Sequence, residues 1–183
     1  MRYVKLLARG LNVLPIKLAL ARNPSLWNRH AQRNVGPHEG IDDVWVRYND
    51  IKNYNPAAPQ KFAEEHDSVW YPAYHDLRCL DDFIFPLMAQ VRGERLGGVL
   101  ITRIAPGKMV KPHTDNSWHA HYYDKYAIQI EANPQQAWHN PDGKFASAPG
   151  DVYWFNNQAL HWVTNDSNED RITCIVCIKH SKS

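Results

Sequence analysis

A chain of 183 residues has room for one domain with a proper core and too little for two. Its 21 basic and 19 acidic residues are mixed throughout and leave a net charge of +2. That balance gives no electrostatic footprint for nucleic acid or an anionic membrane. The three cysteines, Cys79, Cys174 and Cys177, come with no recognisable secretory signal, so the expectation is a reducing, cytoplasmic setting.

Residues 1–22 place Leu6, Leu7, Leu11, Leu14 and Leu18 at three- and four-residue spacing, which predicts a pair of scaffold helices. Pro15 starts or kinks the second. Arg9, Asn12, Pro15 and Lys17 interrupt the apolar run too often for a membrane span. Residues 23–40 read as a loop from their Pro, Gly and Asn content. They are dense in Arg and His, and Arg29, His30, Arg33 and His38 are candidates for substrate contact, the alternative being a solvated loop. Residues 44–48 alternate as a strand. Residues 49–78, with Pro56, Pro59 and Pro72, form an irregular excursion suited to a lid, ending in an aromatic cluster from Trp70 to His75. From Asp81 to Arg95, Phe83, Ile84, Leu87, Met88 and Val91 mark one helix face. Asp81 and Asp82 favour its start, and Pro86 sits in its second turn.

From Leu96 the period changes from helix to strand. Strands are expected at 99–104, 125–131, 137–140, 144–146, 152–155, 161–164 and 171–179, with Asn140-Pro141-Asp142-Gly143 as a hairpin turn. Strands of this size and spacing imply a β-sandwich or barrel, whose mouth is the default small-molecule site. Cys174 and Cys177 lie in the last of them. Residues i and i+3 of a strand face opposite sides, so the pair reads as packing residues and not as a redox or zinc motif.

One constellation carries chemistry. His113-Thr114-Asp115 places an imidazole and a carboxylate at i and i+2 of an extended segment, on one side of the chain. His161 follows the apolar run 152–155 and supplies a third ligand. Two His and one carboxylate with open positions suit non-heme Fe(II) oxygenases. With ten His in the chain, a His-x-Asp pair arises easily by chance, so the distal His161 and Arg171 give it its weight. Arg171 opens the last strand, where a guanidinium fork can hold the far carboxylate of a dicarboxylic co-substrate.

These residues, with the runs 100–107, 112–115 and 149–157, and weaker matches at 26–33 and 41–49, resemble the aspartyl/asparaginyl β-hydroxylase family of Fe(II)/2-oxoglutarate oxygenases. The resemblance covers residues 24–180. It implies a mainly β fold with flanking N-terminal helices, the cupin-like double-stranded β-helix or jelly roll. Length and the change of period at Leu96 give one domain over 1–183, with 1–95 as a helical, loop-rich scaffold and possible lid and 96–180 as the core carrying the metal. The resemblance implies Fe(II) on His113, Asp115 and His161, 2-oxoglutarate on Arg171 with Thr102 in support, and O2 as oxidant. The substrate would be an amino acid, a peptide or protein residue, or a related small molecule, with Arg33 as a possible contact. The family's other co-substrate contacts fall on Tyr122 and Asp124, which are not basic. His119, His121, Lys125 or Tyr126 are the substitutes, and Tyr126 is carried as a co-substrate residue. Two further readings stay open: a non-catalytic cupin-like module that binds a metal and ligand, and a zinc hydrolase.

Overall fold

A computed structural model describes residues 1–181. In chain order its elements are β1 (Val4–Ala8), α1 (Leu14–Arg22), β2 (Asp42–Asn49), β3 (Ser68–Trp70), α2 (Ala73–Asp76), α3 (Asp81–Gln90), β4 (Gly93–Ile104), β5 (Met109–His113), α4 (Trp118–Tyr122), β6 (Asp124–Glu131), β7 (Gln136–Asn140), β8 (Gly143–Phe145), β9 (Val152–Phe155), β10 (His161–Asn165) and β11 (Arg171–His180). Short 3-10 turns fill much of the chain between α1 and β2 and between β2 and β3. The strands form a seven-stranded sheet, β1-β9-β6-β11-β4-β2-β3, and a four-stranded sheet, β5-β10-β7-β8. The fold is the cupin-like jelly roll.

Alternation along the large sheet assigns its two faces. Ile172, Cys174, Val176 and Ile178 of β11, Tyr126, Ile128 and Ile130 of β6, and Val99 and Ile101 of β4 join Ile16 and Leu20 of α1 and Ile84 and Leu87 of α3 in the main core. The intervening positions face a cavity of about 410 Å³ between the sheets: Arg171, Thr173, Ile175 and Cys177 of β11, and Leu100 and Thr102 of β4. Burying a side chain of the Leu or Ile class contributes roughly 1.5–3 kcal/mol. The helix-covered face therefore supplies the stability, while the other face is free to carry polar groups.

Two N-terminal expectations need correction. Residues 4–8 are not helical: β1 pairs antiparallel with β9, Val4 opposite Phe155 and Lys5 opposite Trp154. Leu6 packs on the inter-sheet cluster and Leu7 on the helix-side core. A strand with both faces covered reads as a continuous apolar run, and here its leucines mimic helical spacing. Only α1 remains of the helix pair, with Pro15 in its first turn. The helix expected over 81–95 stops at Gln90. Arg92 adopts φ 55°, in the left-handed region, and turns the chain straight into β4. Gly93 follows, where a Cβ would lie 2.3 Å from Ile178 Cγ2.

The excursion at 49–78 contains β3 and α2 within its turns. Its aromatic end divides. Tyr71 is buried with Trp45, Tyr48 and Phe62, whereas Trp70 stacks on Tyr74 at 4.0 Å between ring centroids.

Candidate metal centre

His113 ends β5 and His161 opens β10, and the two are direct partners across that antiparallel pair. Their ring centroids are 4.3 Å apart. Asp115 lies two residues past β5, held by the chain before β10: its backbone N–H donates to Asn157 O at 3.0 Å, and Asn157 Nδ2 donates to its Oδ2 at 3.2 Å. One ligand atom from each of His113, Asp115 and His161 falls within 4.8 Å of the others. His113 Nδ1 lies 2.8 Å from Lys111 O, and His161 Nδ1 lies 2.9 Å from Ala159 O. A carbonyl can only accept, so each imidazole carries its proton on Nδ1 and leaves the Nε2 lone pair free. Burial lowers the His161 pKa to about 4, which keeps that ring neutral at physiological pH. Two imidazoles and a carboxylate at this separation fit a divalent cation of the iron type.

Asp115 is ionised. Burial works against the charge, but the Lys125 ammonium, with which it forms a direct ion pair, holds its carboxyl well below the usual range. Lys125 projects from the cavity face of β6, opposite Cys177 of β11.

Arg171 stands in the same cavity and is 2% exposed. Among the described residues its hydrogen bonds are to hydroxyls: Nη1 and Nη2 donate to Ser147 Oγ at 3.4 and 3.3 Å, and Nη2 to Tyr153 Oη at 3.3 Å. No carboxylate reaches it among the described residues. Gln129, fully buried on β6, orients this group. Its Oε1 accepts from Ser147 Oγ at 2.8 Å and Thr173 Oγ1 at 3.3 Å, while its Nε2 donates to Ile172 O at 2.9 Å. A buried guanidinium is costly without a counter-charge, so this arrangement is suited to an anion.

Thr102 lines the cavity, with its Oγ1 3.4 Å from Thr173 O. Arg33 also lines it, with Nη1 donating to Asp43 Oδ2 at 2.8 Å. Tyr126 does not. It lies on the helix-covered face, where its hydroxyl meets His180 Nε2 at 2.8 Å. Adjacent strand residues point to opposite faces, so Lys125 is the inward neighbour and Tyr126 is dropped as a co-substrate residue. Asp124 turns away to accept from Trp154 Nε1 at 2.9 Å, and Tyr122 stacks on Trp118. Of the loop candidates, His38 faces the cavity, His30 packs on Trp45 and Tyr71, and Arg29 bonds back to Ser25 O at 2.7 Å. Cys177 lines the cavity and Cys174 the core, on opposite faces as the spacing predicts. Gln129, Ser147, Tyr153 and Asp43 were not foreseen. The available signal was the polar face of the alternation at 125–131, which resembles a solvent face until a second sheet covers it.

A jelly roll with two histidines and a carboxylate converging between its sheets is the scaffold of metal-dependent oxygenases. The profile of the aspartyl/asparaginyl beta-hydroxylase family matches residues 84–181, and the chain belongs to that family of hydroxylating dioxygenases. Its fold is similar to that of a 2OG-Fe(II) oxygenase family oxidoreductase from Burkholderia pseudomallei. The TM-score is 0.65 at 14% identity, over 97% of this chain and 84% of that one. It is also similar to a viral collagen prolyl hydroxylase from Paramecium bursaria Chlorella virus-1, with TM-score 0.56, 10% identity, and 97% and 96% of the two chains covered. A Pseudomonas putida prolyl-4-hydroxylase aligns with TM-score 0.51 at 15% identity over 98% and 93%. Among curated proteins none matches the sequence. No helix among the described residues is long and apolar enough to cross a membrane.

Proposed function

We propose that this chain is an Fe(II)- and 2-oxoglutarate-dependent hydroxylase with His113, Asp115 and His161 as iron ligands and Arg171 as the anchor of the keto acid. The observation that carries the proposal is the pairing of two unlike receptors in one cavity. One is a cation-binding triad. The other is a buried guanidinium whose partners among the described residues are hydroxyls. A dicarboxylate that also chelates a metal satisfies both at once.

The bound iron and keto acid supply the oxidising chemistry; the chain's residues position the participants. Lys111 O and Ala159 O fix the two imidazole tautomers. Asn157 keeps the Asp115 carboxylate turned toward them. Arg171 receives the distal carboxylate with Ser147 and Tyr153 at its flanks, and Thr102 lines the approach. The segments 32–38 and 59–63 contribute Arg33, His38 and Phe62 to the cavity wall and act as the lid that excludes water.

Calorimetric titration of 2-oxoglutarate into the Mn(II)-loaded protein tests the assignment. Arg171→Ala is expected to weaken binding by at least about tenfold while Mn(II) affinity holds. Asp115→Ala and His161→Ala are expected to lose Mn(II) itself with the fold retained. Unchanged keto-acid affinity in Arg171→Ala would remove Arg171 from the site.

A further inference from the structure

Among the described residues the cavity lining has one permanently charged group outside the Asp115–Lys125 ion pair and Arg171. Arg33 lies in the 3-10-rich segment before β2 and is braced by Asp43, which is 6% exposed, through a single Nη1 hydrogen bond. Among the described residues the Arg33 side chain makes no other hydrogen bond, so the rest of its donor fork is uncommitted. The side chain retains 22% of its surface and lines the cavity. Asp115 is the one carboxylate in that lining among the described residues, and it belongs to the metal triad. A substrate amine therefore meets no free anion, whereas a carboxylate meets an oriented guanidinium suited to bidentate pairing. Phe62, Leu100 and Val35 supply apolar surface in the same cavity. At about 410 Å³ the cavity is near the lower end of the roughly 300–1,000 Å³ typical of ligand sites, and it must also admit the keto acid.

We propose, resting on the oxygenase reading above, that the substrate is a small free acid whose carboxylate is held by Arg33, with Asp43 as the residue that positions the guanidinium. The hydroxylated carbon then lies between that carboxylate and the metal.

The test uses Mn(II)-loaded protein saturated with N-oxalylglycine, an inert keto-acid analogue that occupies the Arg171 subsite. Calorimetry follows binding of the common free amino acids and of short straight-chain mono- and dicarboxylic acids, each beside its primary amide. At least one acid is expected to bind, and its amide to bind at least about tenfold more weakly. The Arg33→Gln/Asp43→Asn double variant removes both charges together, so no buried ion is left unpaired. It is expected to lose the preference for acid over amide while N-oxalylglycine affinity stays. Arg33→Lys keeps the charge without the fork, is expected to give an intermediate preference, and serves if the double variant does not fold. Equal affinity for acids and amides, binding of no member of the panel, or a preference that survives both variants overturns the proposal. Failure of N-oxalylglycine to bind at all would instead bring down the co-substrate assignment, and this inference with it.

Discussion

At the scale of single residues, the site balances charges that water cannot screen well. Lys125 neutralises Asp115 inside the cavity. A metal ion offers the same carboxylate an alternative partner, so the two cations compete for it. Lys125→Met should destabilise the metal-free protein by about 3 kcal/mol, because breaking one side of a buried pair strands the other charge. Adding Mn(II) should recover much of that loss. Melting in chelator and then in Mn(II) reads both effects, and an equal loss in the two would mean that Lys125 is not paired with the metal's carboxylate. Gln129 tests the opposite end. Gln129→Leu leaves Ser147, Thr173 and the Ile172 carbonyl each short of a partner. About 1–3 kcal/mol of stability per orphaned group should be lost, together with keto-acid affinity, because the hydroxyls beside Arg171 are no longer oriented. A variant with wild-type melting and wild-type 2-oxoglutarate affinity would deny Gln129 that role.

At the scale of elements, legibility followed how far each pattern was local. Strand β9 was read with its observed limits, and β6, β10 and β11 to within a residue or so, since alternation and flanking turn residues mark them from within. His113-x-Asp115 was legible for the same reason, being a period-two feature of one extended segment. Strand β1 was not, because its leucines satisfy helical and strand spacing alike and only the pairing with β9 decides. The face of Tyr126 was misjudged because the polar side of the 125–131 alternation reads as a solvent face, not as the wall of a cavity, until the second sheet covers it. Asp43 and Gln129 were invisible for a related reason: a polar residue in a strand reads as solvent-facing until the sheet opposite is known. The division of labour between the two faces yields its own prediction. Ile84→Ala in α3 removes a fully buried side chain from the helix-side core and should cost about 2–5 kcal/mol. Because that core lies across the sheet from the cavity, Mn(II) and 2-oxoglutarate affinities should hold. A denaturation midpoint measured beside the two titrations checks this, and a large loss of metal affinity would show that the faces are not independent.

At the scale of the whole molecule, the interior bears a cost in acid. His119 of α4 is 5% exposed, packed near Tyr48 and stacked on His66. Burial, followed by the Lys125 charge, lowers its pKa from 6.5 to about 3. Between those values the unfolded chain binds a proton at this residue and the folded chain does not. Stability is therefore full above pH about 6.5 and falls as the pH drops toward 3, by roughly 1.4 kcal/mol per pH unit from this group. His119→Gln should flatten that limb of the stability profile, and parallel profiles for the two proteins would assign the acid sensitivity elsewhere. The same packing encloses a cavity lined by both the His113–Asp115–His161 triad and Arg171, and the proposal depends on one molecule bridging them. The most direct measurement is the visible spectrum of the Fe(II)-loaded protein on anaerobic addition of 2-oxoglutarate. The account predicts a new charge-transfer band that appears as the keto acid chelates the metal, and that requires higher 2-oxoglutarate concentrations in Arg171→Ala. Iron bound with no band at saturating 2-oxoglutarate would contradict it, leaving an open metal site and a buried Arg171 that serve some other ligand.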